Sequence, residues 1–163
     1  MQRTLIERPE IKLIGICVRT SYDQELDKMQ GHIFPCVQRY FHGLLFDRIP
    51  HRTKPGTTFC AYTDYDSDHT GAYTYFIGEA ITASETPLPE GFCGLTIPRQ
   101  QYVKFTTLPA PMPDVVVKTW ESIWKMSSAE LGGKRRYATD FEIYDERAAD
   151  HQNIVLDVYV GIE

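Results

Sequence analysis

The order of apolar and polar positions runs twice along this chain. Ile11-Lys12-Leu13-Ile14-Gly15-Ile16-Cys17-Val18 is an apolar, β-branched stretch long enough for a central strand. A polar stretch from Ser21 to Gly31 follows, and then Val37, Tyr40, Phe41, Leu44 and Leu45 recur with the spacing of one helix face. Pro35 suits the first turn of that helix, which is expected to end near Asp47. After the turn residues Lys54-Pro55-Gly56, the segments Thr58 to Tyr65 and Ala72 to Ala83 read as a strand pair around an acidic tip.

Pro87-Leu88-Pro89-Glu90-Gly91 reads as a connector, beyond which the order returns. Leu95 to Leu108 is extended, and Asp114 is placed to cap a helix whose face is Val116, Val117, Trp120, Ile123 and Trp124. Lys125 to Gly133 closes that helix, and Tyr137 to Tyr144 and Ile154 to Ile162 are the last strands. Tyr65-Asp66 answers Tyr144-Asp145, and Phe76-Ile77-Gly78 answers Tyr159-Val160-Gly161, as in a duplicated unit. The expected fold is α+β: two strand-helix-strand-strand units, about 5–86 and 92–163, in a single domain spanning 1–163. They would form a mostly antiparallel sheet carrying two helices, with a groove between pseudo-twofold halves. The other arrangement open to such halves is a closed core with aromatic filler.

A chain of 163 residues with 42% hydrophobic residues can bury a core without disulfides. Its net charge of -5, with Lys and Arg scattered, argues against a nucleic-acid surface. No leader or membrane-length apolar run is present in the sequence, so a cytoplasmic protein without membrane contact is expected. Cys17, Cys36, Cys60 and Cys93 form no C-x-x-C and read as free thiols, and the five histidines are dispersed. Asp64 to Asp68 resembles a calcium loop only in part, because His69 stands where the turn needs Gly and Tyr75 where it needs Glu. Neither a metal nor a cofactor is expected.

The segment Arg135 to Tyr144 carries the candidate chemistry. On a strand, Phe141 and Ile143 face one side and Asp140, Glu142 and Tyr144 the other. Glu142 therefore stands mid-strand among aromatics, where a carboxylate needs an internal Arg, water or a cationic ligand to offset its desolvation. If that sheet face were open to water, Glu142 would be an ordinary exposed acid.

Ile97-Pro98 with Tyr102-Val103-Lys104-Phe105, Trp120-Glu121-Ser122-Ile123-Trp124, Asp140-Phe141-Glu142-Ile143-Tyr144 and Leu156 to Ile162, in that order, resemble the GyrI-like small-molecule-binding domains. These are the bacterial effector-binding domains of AraC-type and MerR-type multidrug regulators. Ile33-Phe34-Pro35 with Phe41, and Tyr75-Phe76-Ile77-Gly78, are similar to the family's first half. The resemblance implies a duplicated fold with a ligand groove, Glu142 at its floor, and Phe41, Phe59, Tyr62, Phe76, Trp120 and Tyr159 as aromatic walls suited to a cation. It also implies a stand-alone form, since no helix-turn-helix region precedes the first strand in this sequence.

Three functions follow as expectations. The favoured one is binding of lipophilic, cationic compounds, as a drug or dye sink or sensor. The second, to which some relatives lend support, is hydrolysis of strained electrophilic toxins with Glu142 as general base; no Ser-His-Asp or Cys-His constellation is evident, so binding is preferred to catalysis. The third is a protein partner, either a regulator or DNA gyrase.

Overall fold

The period-two stretches become eight strands and the amphipathic stretches helices in the computed structural model, which describes residues 1–27, 29–83 and 85–163. In chain order they are β1 (Gln2–Arg8), β2 (Ile11–Ser21), α1 (Tyr22–Leu26), α2 (Ile33–His42), β3 (Thr58–Thr63), β4 (Ala72–Ala80), β5 (Cys93–Ile97), β6 (Gln100–Thr106), α3 (Asp114–Trp124), α4 (Ser128–Leu131), β7 (Thr139–Tyr144) and β8 (Asp157–Ile162). The strands form one sheet in the order β1-β6-β8-β7-β3-β4-β2-β5. Every pairing is antiparallel.

That order repeats about its centre. The unit β2-α2-β3-β4 fills one side and β6-α3-β7-β8 the other, with β5 and β1 added at the edges. The units meet where β3 pairs with β7, setting Cys60 opposite Glu142 and Tyr62 opposite Asp140. Both principal helices cover the same sheet face. Cys36 and Tyr40 of α2 pack over Ile14, Ile16, Cys60, Tyr75 and Ile77. Val115, Trp120 and Ile123 of α3 pack with Val103, Phe105, Val158 and Val160.

The other face holds Leu13, Phe59, Phe76, Ile97, Tyr102, Phe141 and Tyr159 in one buried cluster. No helix contributes to this cluster among the described residues. Strands of both halves bury it together, as a strongly coiled sheet can. This corrects the placement of three expected groove residues. Phe59 lies opposite Ile143, and Phe141 opposite Tyr159, in the strand register. Side-chain alternation then turns Phe59, Phe76 and Tyr159 away from Glu142. Phe141 and Tyr159 stack at 4.7 Å, with the Arg8 guanidinium 4.7 Å from the Tyr159 ring.

Several boundaries also differ from expectation. Leu95 to Leu108 is two strands: Pro98, which has no N–H to donate, lies between β5, on β2, and β6, on β1 and β8. The first helix stops at His42, capped by Gly43, and Leu44 adopts a left-handed φ of 50° before a 3-10 turn at Leu45–Arg48. Asp114 is the first helical residue rather than the cap, a favourable place for an acid beside the helix N-terminus. The polar stretch contains α1, where the Ser21 side chain accepts from the Gln24 N–H at 3.3 Å. Edge strand β1 is mostly exposed, which left it without a clear apolar signal.

Candidate functional site

Glu142 is 1% exposed and sits on β7 facing the helices. Its Oε2 accepts from the Trp120 Nε1–H at 2.6 Å and the Tyr62 hydroxyl at 2.7 Å. Its Oε1 accepts from the Tyr144 hydroxyl at 2.7 Å. All three donors are neutral. Burial pushes the Glu142 pKa above the usual carboxylate range, and the bonds from Trp120, Tyr144 and Tyr62 pull against that shift. Burial, and the nearby Glu142 charge, push the Tyr62 and Tyr144 hydroxyls well up, so both remain protonated donors.

Asp140, two residues earlier on the same strand face, is fully buried and differently compensated. Its Oδ2 accepts from Arg135 Nη2 at 2.7 Å and the Tyr65 hydroxyl at 2.7 Å, while Oδ1 accepts from the Gly161 N–H at 2.8 Å. One acid of this strand face thus has its own cation, and the other has only dipoles.

Above Glu142 lies a cavity of about 1260 Å³. Cys60, Tyr62, Tyr75, Glu142 and Tyr144 lie along its floor; Phe34, Val37 and Phe41 of α2 and Val116, Trp120 and Trp124 of α3 are its walls. Both halves therefore line it. At the Thr58/Tyr144 end of the β3–β7 pair it reaches Lys54, Gly56 and Glu146; at the Thr63/Thr139 end it reaches Tyr65, His69 and Arg135. His69 stacks on Trp124 with ring centres 5.1 Å apart, and Tyr22 meets the same indole edge-on at 5.6 Å. Trp120 meets Tyr62 edge-on at 5.3 Å.

Of the residues expected from sequence, Glu142, Trp120, Tyr62 and Phe41 line this cavity, Phe41 being 42% exposed at its margin. Phe59, Phe76 and Tyr159 do not. The structure adds Tyr75, Tyr144, Trp124 and His69. Tyr144 shares a strand face with Glu142, and Trp124 shares the apolar helix face of Trp120. Tyr75 had a signal in its parity with Tyr73 and Ile77, which face α2. Asp140 pairs with Arg135. Asp157 pairs with Arg147 at 2.8 Å. Among the described residues no cluster of three or more His, Cys, Asp or Glu is arranged to hold a metal ion, and no helix is long and apolar enough to cross a membrane.

The sequence pattern of one family, Cass2, described as integron-associated effector binding protein, matches residues 4–162. The chain belongs to that family. Membership makes it an effector-binding, GyrI-like protein, in agreement with the motifs. The chain is 29% identical over 110 residues to YobU of Bacillus subtilis strain 168, described as a transcriptional regulator. That match covers 68% of the chain and 66% of YobU, just under two thirds of the relative's length. A Vibrio cholerae integron cassette protein superposes with a TM-score of 0.76 at 26% identity, over 99% of this chain and 95% of that one. SAV2435, solved bound to tetraphenylphosphonium, shares the fold with a TM-score of 0.78 at 14% identity, over 100% of this chain and 94% of its own.

Proposed function

We propose that this protein binds lipophilic monocations, with Glu142 as counter-charge and Trp120, Tyr62, Tyr75, Tyr144 and Phe41 as the aromatic surround, and acts as a sink or sensor for such compounds. The observation that carries the reading is a fully buried carboxylate, held by neutral donors alone, beneath a large cavity lined mainly by apolar and aromatic side chains. Such a charge is poorly stabilised when the cavity is empty, and a desolvated cation over aromatic rings restores the balance. The binding of tetraphenylphosphonium by SAV2435, a protein of the same fold, supports this chemistry.

The hydrogen bonds define the kind of cation. Tyr62, Trp120 and Tyr144 take three of the four lone-pair positions of the carboxylate, so a ligand contributes mainly charge and apolar area rather than N–H donors. Quaternary or delocalised cations fit better than primary ammonium groups. The same three bonds lower the basicity of the carboxylate, which weakens the hydrolase reading even though one lone pair on Oε1 is open to water.

Titration with tetraphenylphosphonium, followed by tryptophan fluorescence and calorimetry, tests the proposal against the neutral analogue triphenylphosphine oxide. Saturable binding of the cation is expected. Glu142→Gln should weaken it by about 2 kcal/mol or more, roughly thirtyfold, as when one partner of a buried charge pair is removed. Equal affinity in the variant, or for the neutral analogue, would remove Glu142 from the site.

A further inference from the structure

A second, smaller cavity of about 230 Å³ adjoins the first, and Trp124 and Arg135 line both. Ser128, Lys134 and Tyr137 complete its polar lining, and no acidic side chain lines it. The Arg135 side chain is 8% exposed, and only its Nη2 is engaged, on Asp140. Its Nε and Nη1 are buried without a hydrogen-bond partner among the described residues. The Tyr137 ring lies 4.1 Å from the guanidinium carbon and covers it. Buried N–H groups of a charged side chain are costly to leave unpaired, and a carboxylate is the acceptor that forms the strong, charge-assisted bond with them.

We infer that this side chamber is a subsite for a carboxylate arm carried by the ligand, so that the full site takes zwitterionic or carboxylated lipophilic cations. The inference rests on the cation reading of Glu142 and extends it. Glu142 takes the cationic centre, and the arm passes Trp124 into the chamber. There Arg135 supplies the unpaired N–H groups of Nη1 and Lys134 a second positive charge. Asp140 and Glu142 are two residues apart on one strand, about 6.6 Å, so the arm must carry its carboxylate at least that far from the charge centre. Reaching the fork requires the Tyr137 ring to slide off the guanidinium. Asp140 neutralises most of the resident Arg135 charge, which explains how the chamber can hold a guanidinium when empty.

The probes are the piperazine amide of rhodamine B carrying a glutaric acid arm, whose delocalised cation holds a carboxylate beyond that distance, and the methyl ester of that acid, which keeps the cation and blocks the acid. Fluorescence polarisation should show the acid binding about tenfold more tightly than the ester, the equivalent of one charge-assisted hydrogen bond. Arg135→Met combined with Asp140→Asn removes the fork without leaving a buried acid unpaired, and should bring the two dyes to similar affinity. Lys134→Glu, at an exposed position and safe for the fold, should shrink the preference on its own. Equal binding of acid and ester by the unaltered protein overturns the subsite, as does an undiminished preference in Lys134→Glu and the double variant, or failure of both dyes to bind. Tetraphenylphosphonium has no arm, so its titration reports on Glu142 separately. If it binds while the dyes show no preference, only the chamber is lost; if the dyes discriminate and it does not bind, the counter-charge reading is lost instead.

Discussion

Three neutral donors around a buried carboxylate are a compromise between two states of Glu142. They stabilise the anion enough to keep it available, yet burial still dominates and its pKa remains above the usual range. A cation should therefore bind more weakly as the pH falls through that raised pKa, because protonation removes its counter-charge. Calorimetry with tetraphenylphosphonium from pH 8 downward should show this loss begin above the range of an ordinary Glu; a flat profile would mean that no carboxylate takes part. Stability runs the other way. Since the folded pKa is the higher one, ionising Glu142 costs folding energy that is absent below the ordinary carboxylate pKa and complete above the raised one. Glu142→Gln should therefore melt higher at pH 8, by about 2–4 °C for each kcal/mol relieved, and the gain should vanish toward pH 4. A variant that melts lower at both pH values would show that the three donors outweigh the burial cost.

At the scale of elements, the floor of the site depends on how closely strands approach. Gly15 and Gly78 face each other across the β2–β4 ladder, where a Cβ on Gly78 would lie 2.2 Å from the Ile14 carbonyl oxygen and one on Gly15 2.0 Å from that of Ile77. Both obstacles are backbone, so neither can swing away. Gly78→Ala should cost about 3 kcal/mol or more in denaturant unfolding, well above an ordinary surface change, while a cost below about 0.5 kcal/mol would mean that β4 is free to shift. Such approaches are invisible in sequence, and so is much of the site. Local periodicity was enough to place α2, α3 and the strands of each repeat, and to put Glu142 and Tyr144 on one face of β7. It could not say which face of β3, β4 or β8 joins them, because that depends on registers such as Cys60 with Glu142, formed by residues far apart in the chain. Phe59, Phe76 and Tyr159 were misassigned for this reason. Tyr62, on the same strand as Phe59 but of the other parity, meets the carboxylate.

For the whole molecule, the decisive feature is that β3 and β7 join the halves through one continuous sheet while Trp120 and Tyr62, from opposite halves, hold the same carboxylate oxygen. His69 and Tyr22, both from the first half, close on Trp124 of the second. A ligand above Glu142 therefore touches both units, and neither can unfold while it stays bound. One cooperative melting transition is expected. A cation present at a hundred times its Kd should add about 2.7 kcal/mol, raising Tm by about 5–10 °C without splitting the transition. Hydrogen exchange should show β3 and β7 gaining protection together, since losing either destroys the floor. If the cation protected β7 and α3 alone, or a second melting transition emerged on binding, the ligand would be held by one repeat, and the cavity between the halves would not be where it binds.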